Sequence, residues 1–269
     1  MRRASVQKGA AEGAEDRPVD GTIESVWRYP VKSMAGEAVA RAFIGHEGVI
    51  GDRRYALRSD SRAARFPWFT GRQYPDLIRH RARYVEREST LAPVNPEASR
   101  PTLPADDAFA VEIETPAGIL VDLHDPMFLA GLPLKDGESV EPVASPRAFV
   151  DVAPVSLISM QSIAALGAAL GRALDPRRFR MNLHVDWASG DAFAEDELVG
   201  RTLRIGETVE IAVLERDARC KMIALDPETG AETPAVLKHV LDERGGCAGT
   251  YAAVLREGFV QKGDAVRVL

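Results

Sequence analysis

Cysteine is nearly missing from this chain of 269 residues. It has two, Cys220 and Cys247. That is too few for a disulfide scaffold at this length and fits a reducing, cytoplasmic setting. Lysine is scarce as well, with six against 28 arginines. Base composition of the gene is one source of such a bias; the other is selection for guanidinium forks, which grip phosphate or carboxylate in bidentate fashion. No run of 18 apolar residues is present: the longest aliphatic stretch, 158–174, is broken by Ser159, Gln161, Gly167 and Arg172. A spanning helix is excluded, so no membrane association is expected. The signatures G-x-S-x-G, H-E-x-x-H, C-x-x-C, G-x-x-x-x-G-K and G-x-G-x-x-G are all absent, which removes serine hydrolases, zincins, zinc ribbons, P-loop enzymes and Rossmann dehydrogenases. No cysteine cluster is available for an iron–sulfur centre. The five histidines are scattered and none is paired at ligand spacing.

What is present is an ordinary globular balance, with 45% hydrophobic and 28% charged residues and a net charge of −6. Length permits two small domains or one large one. An acidic total argues against nucleic acid as the main partner. Residues 1–21 mix both signs of charge with few bulky apolar groups and lack the apolar core of a secretory signal, so they read as a disordered leader with order beginning near Thr22.

Beyond that point, short alternating or apolar runs are broken by Gly, Pro and Asp, the mark of β structure with tight connections. Strands are expected at 22–28, 37–44, 54–58, 109–114 and 118–123, and in the C-terminal half at 183–186, 202–205, 209–215, 251–255 and 265–269. Closing such strands into barrels removes exposed edges. Helices are expected at 159–174, capped by Ser159 or Ser162, and at 233–245, with Thr233 as cap, Pro234 at the first position and Gly245 as stop. The stretch 87–104 reads as a surface loop.

Charge is uneven along the chain. Residues 52–83 hold nine arginines against three aspartates, whereas 185–234 hold twelve acids against five bases. The basic segment reads either as a solvated face or as an anion pocket, with Arg172, Arg177, Arg178 and Arg180 as a second wall. The acidic remainder would repel a long polyanion, so a small phosphorylated ligand suits it better than DNA or RNA. Each cysteine reads either as a small buried apolar residue or as a thiolate able to bind metal or attack an electrophile. Cys220 is the better placed for the second role, directly after a strand and between Arg219 and Lys221.

Several motifs resemble a known family. RYPVKS (28–33), the GDR at 51–53 and GRQYP (71–75) are similar to the N-terminal β-barrel domain that precedes MOSC domains. RFRMNL (178–183), LVGRTLRIG (198–206), ARCKMIALDPETG (218–230) and GFVQKGDAVRV (258–268) resemble the MOSC domain itself. In this arrangement the chain resembles the mitochondrial amidoxime-reducing component and its bacterial counterparts. The resemblance implies a mainly β fold with a few helices, an N-terminal barrel-like domain over 22–145 and a MOSC barrel over 146–269. It also implies a molybdenum cofactor (molybdopterin). Cys220 matches the family's metal-ligating, catalytic cysteine, with Ala218 and Arg219 beside it. Lys32, Ser33, Arg53, Arg72, Arg180, Asn182, Ala218 and Arg219 match cofactor-binding positions, as do Asp151, Val152 and Ala153, which fall on a cofactor-contacting segment that is hydroxyl-rich in the family.

The implied reaction is reduction of a small N-oxygenated substrate, with electrons from a separate donor protein. At family level the resemblance also carries a pyridoxal phosphate association. Departures are present: Asp217 replaces the first cysteine of the C-x-R-C motif, Met181 replaces a proline, and Val152 and Ala153 replace hydroxyl residues. Two other readings stay open. In one, Cys220 carries a persulfide or the cofactor without turnover; in the other, the barrel is a scaffold for another small anion.

Overall fold

A computed structural model describes residues 20–88, 90–98 and 101–269. The expected leader therefore lies outside the described residues, apart from Asp20 and Gly21. The first half of the chain forms β1 (Gly21–Arg28), β2 (Glu37–Val39), β3 (Arg41–Gly45), β4 (Gly48–Val49), β5 (Tyr55–Ser59), β6 (Trp68–Phe69), β7 (Arg81–Tyr84), β8 (Val111–Glu114), β9 (Leu120–Asp122), the short helix α1 (Pro126–Ala130) and β10 (Val140–Ala144). The second half forms β11 (Val155–Ser159), α2 (Met160–Ala169), β12 (Leu183–Trp187), β13 (Thr202–Ile205), β14 (Val209–Ala218), α3 (Pro234–Arg244), β15 (Cys247–Arg256), β16 (Gly258–Gln261) and β17 (Ala265–Val268). The fold is mainly β, as the patterning predicts. Among the described residues no helix is long and apolar enough to cross a membrane.

Seven strands close into a barrel in the order β12, β11, β15, β14, β13, β17, β1 and back to β12. Every pairing is antiparallel except β11 with β12. Its interior is filled by inward-facing aliphatics, among them Ile23, Val26, Leu157, Leu183, Val185, Ile211 and Val213. Each fully buried side chain of this size contributes about 1.5–3 kcal/mol. Three three-stranded sheets, β10-β5-β6, β16-β3-β4 and β7-β8-β9, surround a second core built on Val31, Tyr55, Leu57, Phe69, Tyr84 and Phe109. The two halves exchange strands: β1 closes the C-terminal barrel, and β16 pairs with β3 of the front half. Without β1, strands β12 and β17 would present open edges.

Helices α2 and α3 pack on the outside of the barrel around Ile158, Ile163, Leu166, Phe179 and Val240. Helix α2 ends at Ala169, earlier than the expected 174, because Gly171 takes a left-handed turn (φ 64°); Leu174 is buried all the same. Ser159 caps it, accepting from the Ser162 N–H. Helix α3 stops at a left-handed Gly245, as predicted, but Thr233 at its cap position makes no side-chain cap bond. The single strand expected over 37–44 is interrupted at Ala40, and its two pieces enter different sheets. The described part of 87–104 carries neither helix nor strand.

Candidate functional site

The chain leaves β1 at Arg28, whose guanidinium is fully buried. Its Nε donates to Glu37 Oε1 at 2.6 Å and its Nη1 to the Thr90 carbonyl at 2.6 Å, over the Tyr84 ring. That anchor fixes the turn that follows. Tyr29 is buried, donating its amide to Asp52 Oδ1 at 2.8 Å and its hydroxyl to the Met181 carbonyl at 3.2 Å. Burial pushes its phenol up to about 12, against the pull of Arg180 and Arg53. Lys32 donates its amide to the Tyr55 carbonyl, and its Nζ reaches the Phe149 carbonyl at 2.9 Å and Asp151 Oδ1 at 2.7 Å. Burial lowers the Lys32 ammonium while Asp151 works to raise it. Ser33 follows in left-handed backbone, φ 71°.

Arg53 and Arg180 complete this end. Both are non-glycine residues in left-handed backbone, with φ of 44° and 55°, a conformation that is kept only where the surroundings enforce it. The Arg53 amide donates to the Tyr29 carbonyl at 2.6 Å. Its side chain bonds Asp52 Oδ2 at 2.5 Å through Nη1 and the Arg180 carbonyl at 2.7 Å through Nη2. Arg180 donates Nη1 to the Met34 carbonyl at 2.6 Å, and both guanidiniums lie over the Tyr29 ring, at 4.8 and 4.4 Å. Arg180 Nη2 is buried and has no hydrogen-bond partner. Burial pulls Arg180 down to about 10, and a buried cation with a spare donor is stabilised by an incoming anion.

The far end is built by the last turn of β14. Asp217 keeps the inward parity of Val209, Ile211 and Val213 and is 3% exposed; a register shift between Arg216 and Ala218 follows, and Cys220 stands at the start of the 3-10 turn Lys221–Ala224. The Asp217 carboxylate accepts from Arg219 Nη1 and from the Tyr251 hydroxyl. Burial raises the Asp217 carboxyl despite Arg219. Arg219 spends its Nη2 on the Phe179 carbonyl at 2.6 Å, leaving a buried Nε without an acceptor. Cys220 is half-buried and packs beside Ile78, Met222 and Leu225. Cys247, on β15 opposite Ala218, is also a free thiol.

These two ends line one cleft. Lys32, Ser33, Arg53, Arg72, Asp151, Ala153, Arg180, Asn182, Ala218, Arg219 and Cys220 all face it, whereas Val152 points to solvent at 55% exposure. Residues almost two hundred positions apart thus converge, because β1 is a strand of the same barrel as β14. Five basic side chains face two carboxylates there. Asn182 is largely committed to the wall: its Oδ1 takes two bonds from Ser156 and its Nδ2 donates to the Trp27 carbonyl at 3.3 Å, so one amide N–H remains for a ligand.

Of the nine arginines at 52–83, only Arg53 and Arg72 line the cleft; Arg54, Arg58, Arg62, Arg79, Arg81 and Arg83 pair with carboxylates. The second wall reduces to Arg180, since Arg177 pairs with Asp175 and Glu228 and Arg178 with Asp226. Tyr251, Ser156 and Thr70, which the sequence does not single out, also line the cleft, as does Phe66, one of the aromatics interleaved with the arginines of the basic segment. Phe66 and Thr70 flank Arg72 within the basic segment, a usable signal; Tyr251 and Ser156 sit in apolar strands with none.

A family profile described as MOSC domain matches residues 144–267, and one described as MOSC N-terminal beta barrel domain matches residues 20–115. A molybdenum cofactor sulfurase from Caenorhabditis briggsae is 24% identical over 267 residues, covering 91% of this chain and 36% of the relative, so the chain spans about a third of that protein. Among solved structures, YuaD from Bacillus subtilis aligns over 92% of this chain and 94% of its own, at 12% identity and TM-score 0.46. YiiM from Geobacillus stearothermophilus aligns over 44% and 54%, at 17% identity and TM-score 0.35.

Proposed function

Because the chain belongs to the MOSC family, with a MOSC N-terminal barrel domain ahead of the MOSC domain, we propose that its cleft holds a molybdenum–pterin cofactor and that the protein reduces N-oxygenated compounds. One observation carries this reading. A free, half-buried thiol, Cys220, shares a cleft with Lys32, Arg53 and Arg180, and there Arg180 Nη2 lies buried without an acceptor.

The donor set fits such a group. A thiolate is a soft ligand suited to molybdenum, and guanidiniums with an ammonium suit a terminal phosphate. Arg53 and Arg180 would bind the phosphate through their outer edges while Tyr29 holds their planes. Lys32 would exchange Asp151 for it. Arg219 would offer its unpartnered Nε to the cofactor's polar body, and Met222 and Phe66 would keep water from the thiol. When bound, the group supplies two-electron redox chemistry that the side chains cannot. The overall change, an amidoxime plus two electrons and two protons giving an amidine and water, draws its electrons from a separate donor protein.

The named activity of the curated relative favours a second reading, in which Cys220 carries sulfur as a persulfide. Protein made in a host that synthesises the cofactor separates the two. Near-stoichiometric molybdenum by mass spectrometry, lost in Cys220→Ala and in Arg180→Met, with donor-coupled reduction of benzamidoxime, supports the first. Sulfane sulfur on Cys220 without molybdenum supports the second. Neither metal nor sulfane sulfur would leave a scaffold for another anion.

A further inference from the structure

A second cavity lies behind the loop that carries Arg53. Successive residues part there: Arg53 lines the first cleft and Arg54 lines the other cavity. The strap that follows β10 is shared in the same way, with Pro146 and Ala148 on the second cavity and Val150 and Asp151 on the first. The second cavity holds about 240 Å³, and Phe43, Val49, Ile50, Leu103 and Phe109 form most of its apolar wall. A dry cavity of roughly 150 Å³ with such a lining accepts benzene. The space here takes one ring with a short substituent.

The carboxylates around it already have partners. Asp52 accepts from the Tyr29 amide and from Arg53. Glu257 accepts from the His46 amide at 2.8 Å, and Glu47 meets Arg147 at the exposed rim at 3.5 Å. Arg54 is 6% exposed and stacks 4.1 Å over the Phe109 ring, yet its Nε is buried with no acceptor. Its Nη2 pairs with Asp106, whose side chain is 96% exposed, and a partner in bulk water holds a guanidinium only weakly. A buried donor left unpaired destabilises the fold. An acceptor entering through the apolar cavity would remove that penalty, and a carboxylate is the acceptor a guanidinium binds best.

We infer that this cavity is a second ligand site, separate from the Cys220 cleft, for a small aromatic carboxylate. Its ring lies against Phe43, Ile50 and Leu103, and its carboxylate accepts from Arg54 Nε. The inference does not depend on the redox reading.

Calorimetric titration of the full chain with phenylacetate tests it, with toluene as the neutral probe and with Arg54→Gln, Ala148→Leu and Cys220→Ala as variants. Phenylacetate should bind the wild type, bind Arg54→Gln at least ten-fold more weakly, fail to bind Ala148→Leu, whose added methyls fill the space, and bind Cys220→Ala unchanged. No binding at millimolar phenylacetate, loss only in Cys220→Ala, or toluene binding as tightly as phenylacetate would each overturn it. Should Arg54→Gln not fold, Ala148→Leu and the toluene comparison still decide.

Discussion

Arg53 donates its Nη2 to the backbone carbonyl of Arg180 at 2.7 Å. The bond spans 127 positions of sequence and joins two residues that are both held in left-handed backbone. Each fixes the other: the guanidinium of one occupies the carbonyl that the unusual turn of the other presents. Tyr29 lies beneath both, so the cationic end of the cleft is rigid before any anion arrives.

Arg180→Ala and Arg180→Gly both delete the guanidinium, but only glycine rests easily at φ 55°. The glycine variant should be more stable than the alanine variant by about 1 kcal/mol in urea denaturation. Both should lose pyrophosphate binding in the cleft to the same extent. An alanine variant as stable as the glycine one would show that this backbone carries no strain.

Tyr29 gives a pH signature. Its folded pKa, about 12, lies above the ordinary tyrosine value of 10.0. The stability it lends is therefore complete below pH 10 and is lost as pH rises from about 10 to about 12. Chemical denaturation across that range should show a steeper decline for wild type than for Tyr29→Phe. At neutral pH the phenylalanine variant should be less stable by about 1 kcal/mol, the worth of the bond to the Met181 carbonyl.

Asp151 competes with any anion for Lys32. Its side chain is 56% exposed, so Asp151→Asn should change stability by less than about 1 kcal/mol, while pyrophosphate should bind more tightly at neutral pH. The carboxylate also opposes the downward push of burial on the Lys32 ammonium. Without it, binding should fade at a lower pH as the solution is made alkaline. Titration calorimetry at several pH values reads both effects.

The two helix caps should behave differently. Ser159 accepts from the Ser162 N–H and is fully buried, whereas Thr233 caps nothing with its side chain. Ser159→Ala should cost about 1–2 kcal/mol and Thr233→Ala under about 0.5 kcal/mol by thermal or urea unfolding.

Much of this was readable in advance because barrel strands alternate and helix stops use glycine: β1, β13, β14 and α3 fall where patterning puts them. β11 was missed because Val155–Ser159 is buried on both faces and so lacks alternation; it ran into the apolar run of α2. β16 was missed because its pairing partner, β3, lies in the other half of the chain. In the site, the cationic residues were legible through their motifs. Which arginines remain available to a ligand was not: Arg58 and Arg81 meet Glu141 and Glu228 only after folding, and nothing local distinguishes them from Arg53. Asp217 lies on the inward parity of β14, where a carboxylate is not expected from patterning, and Tyr251 lies on the opposite parity from the buried Ala252 and Val254 of β15, so neither is marked as a cleft residue by composition.

The exchange of β1 has a consequence for how the protein is made. Gly21 pairs with Val266, so β1 waits for a neighbour synthesised about 245 residues later. At ordinary translation rates that wait is roughly 12 to 50 s, during which β1 can pair with β2 and β12 but not close the barrel. During that interval the barrel has an open edge, the kind of edge that mispairs.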